Sequence, residues 1–376
     1  MTESVTSSSR QADGEPRPCP HGLSGCEHLD FRPRTQGDDS PRLGDTALWL
    51  TWEKQRRTTE LSHALGLQLF RFNHRGSRLK RYVDLCRQTW RLLKTEKPRL
   101  VIVQNPSMIL AAAAAFMKSR LGFTLVVDRH TNFMIGLAKT PVIRLLTLIS
   151  DYSLRQSDLT IVTNGPLAQL AEAKGSPAFV LPDRIPAPPP TQAVDLGPGR
   201  HICFICTYAT DEPYNEVIGL GPLLPPDVTL HITGRQAGAA FTPEARQILD
   251  THDNVVLTDF LPEEDYWTLL ASVDAVMDLT TLDHCLVCGA YESLALGQPL
   301  ILSQKPVNRD LFGDTPVLVN PDTTSILEGV TTLLADLPAR RQAAQDLRRT
   351  FSADWDRDFA RLQARLLDMA APEQGD

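Results

Sequence analysis

The chain has 376 residues, which at about 150 per domain predicts two or three domains. Hydrophobic residues make up 42% and charged residues 22%, ordinary values for a globular protein with a sizeable core. The net charge of −7, from 38 basic and 45 acidic side chains, excludes a generally basic nucleic-acid binder but leaves local patches open.

In chain order, residues 1–45 are rich in Pro, Gly, Ser, Asp and Arg with no apolar periodicity, and they read as a disordered leader. Met1–Arg10 is polar, so no secretory signal is expected. From Ala47 onward short apolar runs alternate with helical patterns. ALWLT (47–51), LQLFRF (67–72), LVIVQ (100–104), TLVVD (124–128), LTIVT (159–163) and AFVL (178–181) predict buried strands. Leu79, Tyr82, Val83, Cys86, Trp90 and Leu93 predict an amphipathic helix between two of them. The run Met108–Met117, ten residues against the roughly 20 of a membrane span, predicts no transmembrane helix.

The Pro/Gly-rich stretch at 185–199 cannot join a ladder or a helix interior and predicts a linker, placed at 186–200. The alternation then restarts with strands at 201–207, 228–233, 254–258, 275–279, 299–303 and 316–319, and the chain closes on a charged helical segment. The predicted fold is therefore α/β, with two doubly wound, Rossmann-like parallel-sheet domains at 46–185 and 201–350 facing across a cleft. A C-terminal helix at 351–376 is expected to pack back on the first domain. Ligands of such sheets bind outside the carboxyl ends of the strands.

The segment LTTLDHCLVCGAYESLALGQPLILS (279–303) carries the most chemistry. A strand ends at Thr280-Thr281, a helix is predicted from Leu286 to Leu296, and Gly297-Gln298-Pro299 stops it. A helix N-terminus beside strand ends suits a diphosphate, Gly289 would let a ligand approach the backbone, and Glu292 could accept hydrogen bonds from sugar or ribose hydroxyls. A solvated glutamate on an ordinary crossover helix is the competing reading.

This stretch resembles the donor-binding segment of GT-B-fold glycosyltransferases of the bacterial group 1, glycosyltransferase family 4-like, type. HITGR (231–235), the run 254–281, LPDRIP (181–186), VIVQNPSMILA (101–111), VVDRH (126–130) and 157–164 share the likeness. The resemblance implies transfer of a sugar from a nucleotide sugar bound by the C-terminal domain to an acceptor bound by the N-terminal one. It implies no metal and no cofactor besides the nucleotide-sugar substrate. His284 stands where the family's first glutamate would face the transferred sugar. The family's Arg and Lys after the first strand of the second domain are replaced by TYATDEP (207–213), leaving Arg235 as the best cation for the diphosphate. Asp128 and His130, two apart at a strand end, are the candidate acceptor-side bases. Thr207, Asp211, Thr280 and Thr281 are further donor-side candidates. A catalytically silent subunit and a nucleotide-sugar epimerase are the alternatives to a transferase.

Cys203-x-x-Cys206 and Cys285-x-x-Cys288 invite a zinc reading, but the first pair falls within a strand on opposite faces, so small buried hydrophobes are the better account. Cys19, His21, Cys26 and His28 in the leader match no zinc spacing. Seven cysteines, an odd and low count, predict free thiols in a cytoplasmic chain. Charge divides at the linker: residues 1–190 carry 26 basic and 17 acidic side chains, residues 191–376 carry 12 and 28. The basic segment 71–99 (Arg71, Arg75, Arg78, Lys80, Arg81, Arg87, Arg91, Lys94, Lys97, Arg99) suits an anionic inner-membrane face, as a lipid-linked saccharide acceptor would require. No nucleic acid is expected as a partner.

Overall fold

Continuous apolar runs such as LVIV (101–103 with Leu100) cannot leave either face in water, and they become the inner strands of parallel sheets. The computed structural model describes residues 17–19, 22–23, 25–32, 42–73, 77–105, 107–130 and 140–372. The first sheet contains β1 (Arg17–Pro18), β2 (Cys26–Asp30), β3 (Ala47–Thr51), β4 (Gln68–Phe72), β5 (Leu100–Asn105), β6 (Thr124–Arg129), β7 (Leu159–Val162) and β8 (Ala178–Val180), in the order β1-β2-β4-β3-β5-β6-β7-β8. The second contains β9 (Arg200–Phe204), β10 (Val228–Thr233), β11 (Val255–Asp259), β12 (Ala275–Asp278), β13 (Leu300–Ser303) and β14 (Val317–Val319), in the order β11-β10-β9-β12-β13-β14, and is wholly parallel.

The helices of the first half are α1 (Leu43–Thr46), α2 (Arg56–Ala64), α3 (Arg78–Glu96), α4 (Met108–Leu121), α5 (Pro141–Gln156) and α6 (Gly165–Ala173). Those of the second are α7 (Tyr214–Ile218), α8 (Pro243–Thr251), α9 (Glu263–Ser272), α10 (Cys288–Leu296), α11 (Pro306–Phe312), α12 (Thr323–Leu334) and α13 (Leu337–Ala370). Thr140, Asn164, Thr242, Asp322 and Asp336 cap α5, α6, α8, α12 and α13 by accepting a backbone N–H in the first turn. Gly297, with a left-handed φ of 67°, ends α10 where the sequence placed its stop. These are two Rossmann-like domains.

Two expectations are corrected. The leader is not wholly disordered: β2 pairs antiparallel with β4, and β1 extends the sheet as a short hairpin partner. Strands of two and five residues among prolines and glycines leave no periodicity to read. Cys19 and Cys26 pack in the core with Leu48, Phe70 and Leu92, while His28 stacks on Phe70 at 4.6 Å and hydrogen-bonds Gln68 at 3.1 Å. His21, like Arg75, lies outside the described residues, and among the described residues no cluster could hold a metal ion. The boundary at 350/351 falls inside α13, a continuous 34-residue helix. Its second half lays Phe351, Trp355, Leu362 and Leu366 into a core shared with Trp49, Leu69 and Tyr291, so it ties the two domains together. Trp355 Nε1 donates to the Pro182 carbonyl at 3.0 Å.

In the second sheet, His201 and His231 meet across β9 and β10, with His201 Nδ1 3.0 Å from His231 Nε2. His201 Nε2 reaches the Gly197 carbonyl at 3.3 Å, which assigns its proton there and makes Nδ1 the acceptor. Burial, and then His201, push His231 down to about 4 from 6.5. The unfolded chain therefore binds this proton more tightly, and stability present above pH 6.5 is lost as pH falls toward the folded value. The melting temperature should drop between pH 6.5 and about 4, and His231→Gln should reduce that drop. An equal drop in both proteins would refute the assignment.

Candidate functional site

The carboxyl ends of the strands of the two sheets face each other, and the side of the second sheet is built from three loops. Glu212 gathers the loop after β9: it accepts from the Thr207 N–H at 2.8 Å, the Thr207 hydroxyl at 2.9 Å and the Ala209 N–H at 2.9 Å. Asp211 joins that loop to the one after β12. Its carboxylate accepts from Thr280 Oγ1 at 2.7 Å, and its carbonyl accepts from the Thr281 N–H at 2.7 Å and hydroxyl at 3.1 Å. Lys305, just before α11, donates to the Thr281 carbonyl at 2.9 Å and to Asp283 at 2.8 Å. Arg235 is exposed beyond β10, 5.3 Å from the centre of the Phe260 ring.

Glu292, one turn into α10, faces the opposite domain. Arg56 at the start of α2 donates to its Oε1 at 3.0 Å, and the Tyr266 hydroxyl of α9 donates to its Oε2 at 2.6 Å. Burial and the adjoining carboxylate hold the Tyr266 phenol far above its ordinary range, so it stays a donor. The glutamate is thus already a two-point hydrogen-bond acceptor at the domain boundary.

On the side of the first sheet Arg57 organises the strand ends. Its Nε donates to both oxygens of Asp128 at 3.0 and 3.2 Å, Nη1 to Asp183 at 2.6 Å and Nη2 to the Leu181 carbonyl at 3.0 Å. Burial works against the Asp128 charge, but Arg57 and then His130 outweigh it and hold the carboxyl below its usual range. Asp128 is fully buried and paired in this way, so it serves as a structural counter-ion and is a poor proton acceptor. His130 lies on the cleft side with Nδ1 3.7 Å from Asp128, beyond hydrogen-bond reach, and that nitrogen is buried without a partner.

His284 comes to the same place from the other domain. Its backbone is left-handed, with φ 62°, and its carbonyl accepts from Asn164 Nδ2 at 3.2 Å. Its Nδ1 is also buried without a partner. Thr163, next to Asn164, donates to the His130 carbonyl at 3.3 Å. Thr163 and Asn164, just past β7, therefore hold the backbone carbonyls of His130 and His284, one from each domain.

A glycosyl transferase 4-like domain matches residues 40–182. Among solved structures, HepE of Anabaena in complex with UDP superposes with a TM-score of 0.64 at 12% identity, over 86% of this chain and 98% of that one. Sucrose-phosphate synthase of Thermosynechococcus elongatus gives 0.62 at 14% identity, over 81% and 84%. α,α-Trehalose 6-phosphate synthase of Burkholderia multivorans gives 0.53 at 13% identity, over 80% and 79%. The chain has the GT-B fold of these structures. No curated protein sequence matches.

In this GT-B frame one expected contact changes. Helix α10 begins at Cys288 rather than Leu286, and the Gly289 N–H already donates to Asp278 Oδ2 at 2.8 Å. A Cβ on Gly289 would overlap Asp278 Oδ2 and Ile205 Cδ1, so the glycine admits a neighbouring carboxyl and not a ligand. Burial pushes the Asp278 carboxyl well above the carboxylate range, against the Gly289 N–H that holds it down. The hydroxyls of Thr207, Thr280 and Thr281 are spent on Glu212 and Asp211 and act as loop fasteners. Arg56, Arg57, Tyr266 and Lys305 were not singled out from sequence. The Arg56-Arg57 pair immediately past ALWLT was the available signal.

The cysteine pairs form no knuckle. Cys203 packs with Trp267 and Leu270 on one side of the sheet, Cys206 with Phe204, Tyr208 and Ile218 on the other.

Proposed function

We propose that this protein is a glycosyltransferase that moves a sugar from a nucleotide-sugar donor to a saccharide or lipid-linked saccharide acceptor in surface polysaccharide or glycoconjugate synthesis. The observation that carries the reading is Glu292, poised at the domain boundary between Arg56 and Tyr266, together with His130 and His284, whose Nδ1 atoms are buried without a hydrogen-bond partner. HepE was solved with UDP and with UDP-glucose, which supports a UDP-sugar as the first donor to try.

In this reading the donor's hydroxyls bind Glu292, displacing Arg56 toward the diphosphate, where Lys305 and Arg235 add positive charge. His130 takes the proton of the acceptor hydroxyl, and the buried Asp128 charge stabilises the resulting imidazolium. His284 lines the pocket of the transferred sugar. Transfer needs no metal, so chelation by EDTA should leave turnover unchanged. Hydrogen bonds to a charged group contribute about 1.5–3 kcal/mol, so Glu292→Gln should lower kcat/KM for the donor about 10- to 150-fold. Unchanged turnover in that variant would remove the assignment.

One observation favours a catalytically silent subunit instead: Asp278 occupies the helix-start N–H expected to meet the diphosphate. Nucleotide release from a nucleotide sugar in the presence of an acceptor separates the two readings. Interconversion of the sugar without any acceptor would identify an epimerase.

A further inference from the structure

We infer that the outer face formed by α3, α4 and α5 docks on an anionic lipid bilayer, with α5 as an apolar crest seated among the headgroups. On α5, Val142, Leu145 and Leu148 recur every third residue and are 65%, 58% and 62% exposed. Next to it α4 presents Phe116, 51% exposed, with the Arg120 guanidinium 3.7 Å over its ring. Between α4 and α3 runs a groove of about 550 Å³ walled by Trp90, Ala113, Phe116 and Met117 and rimmed by Arg87 and Arg91. Single exposed apolar residues are ordinary, but here crest and groove lie on helices that pack side by side, and apolar groups gathered on one face mark an interaction surface.

Charge selects the occupant. Among the described residues of these three helices every exposed charged side chain is basic, namely Lys80, Arg87, Arg91, Lys94, Arg120, Arg144 and Arg155, while Asp84, Glu96 and Asp151 are half-buried. The predicted basic segment is thereby refined, because Arg71 is buried and paired with Glu27 and faces no surface. A second copy would bring basic residues against basic residues, whereas an anionic leaflet complements them. Aliphatic Val and Leu on the crest suit acyl chains and offer no stacking platform for bases.

The crest also has a direction. Helix α5 follows β6, whose end carries Asp128 and His130, so its exposed N-terminal turns stand at the rim of the acceptor side of the cleft. A bilayer-seated α5 would present a lipid-carried acceptor to His130. That link rests on the proposed transfer chemistry; the bilayer contact itself does not.

The test is flotation of the full chain with phosphatidylcholine vesicles, with and without phosphatidylglycerol. The chain should float with the anionic vesicles and much less with the neutral ones. The triple variant Val142→Gln/Leu145→Gln/Leu148→Gln should partition about tenfold less or weaker still. Arg87→Gln and Arg91→Gln should each cost about fivefold. Melting temperatures report that these exposed changes leave the fold intact. No flotation with anionic vesicles, or equal flotation of the triple variant, overturns the proposal. So does a dimer in light scattering that the triple variant dissociates, which would assign the face to a second copy. Normal flotation of a chain that turns over no donor supports the bilayer contact while removing the transferase reading.

Discussion

His130→Gln should lower kcat by about 10²- to 10⁴-fold, the range spanned by removal of a positioned general base. The donor KM should stay unchanged, because His130 belongs to the acceptor side and Glu292 to the donor side. Glutamine keeps the length and polarity of the imidazole, so the shape of the cleft survives and only proton acceptance is lost. The expectation rests on geometry: the imidazole is held by its own strand end, with Thr163 bonding its carbonyl, and its Nδ1 is buried and unpartnered. Steady-state kinetics on the purified variant check it. A kcat within threefold of the parent would hand the proton to another group, with His284 the next to replace.

Arg57→Leu should destabilise the protein by about 3–5 kcal/mol, the cost of stranding one charge of a buried pair. Asp128 has no exposed side-chain surface, and Arg57 supplies its two close hydrogen bonds. At about 2–4 °C per kcal/mol the melting temperature should fall on the order of 10 °C. The double variant Arg57→Leu/Asp128→Leu should recover much of the loss, because removing both partners leaves no buried charge unpaired. A single variant melting within about 2 °C of the parent would contradict the clamp.

The two sheets were legible because inner parallel strands are buried on both faces: Leu100, Val101, Ile102 and Val103 are wholly inaccessible, and so are Leu125, Val126 and Val127. Runs of that kind have one reading. β1 and β2, of two and five residues, had none, since β2 finds its antiparallel partner in β4 and β1 finds its own in β2, and neither pairing is written in the strands' own pattern. Charged clamps are harder still. Arg57 sits 71 residues from Asp128 and 126 from Asp183, and only the fold brings those groups together. Its position at a helix start looks, in sequence, like any solvated arginine. Gly289 shows the converse limit. Its need for close approach could be read, but the group that approaches, the Asp278 carboxyl, came from a neighbouring strand end. Glu292 and the two histidines kept their candidacy because the cleft of a doubly wound fold is fixed by topology.

The most direct measurement is thermal denaturation of the full chain against UDP, GDP and TDP and their sugars, with Glu292→Gln beside the parent. A nucleotide at 100 times its dissociation constant stabilises by about 2.7 kcal/mol, a shift of several degrees. Such a shift should appear with at least one nucleotide or nucleotide sugar and fall to about half or less in Glu292→Gln at the same concentration. No shift with any of them, or the same shift in both proteins, would contradict Glu292 as the donor's anchor.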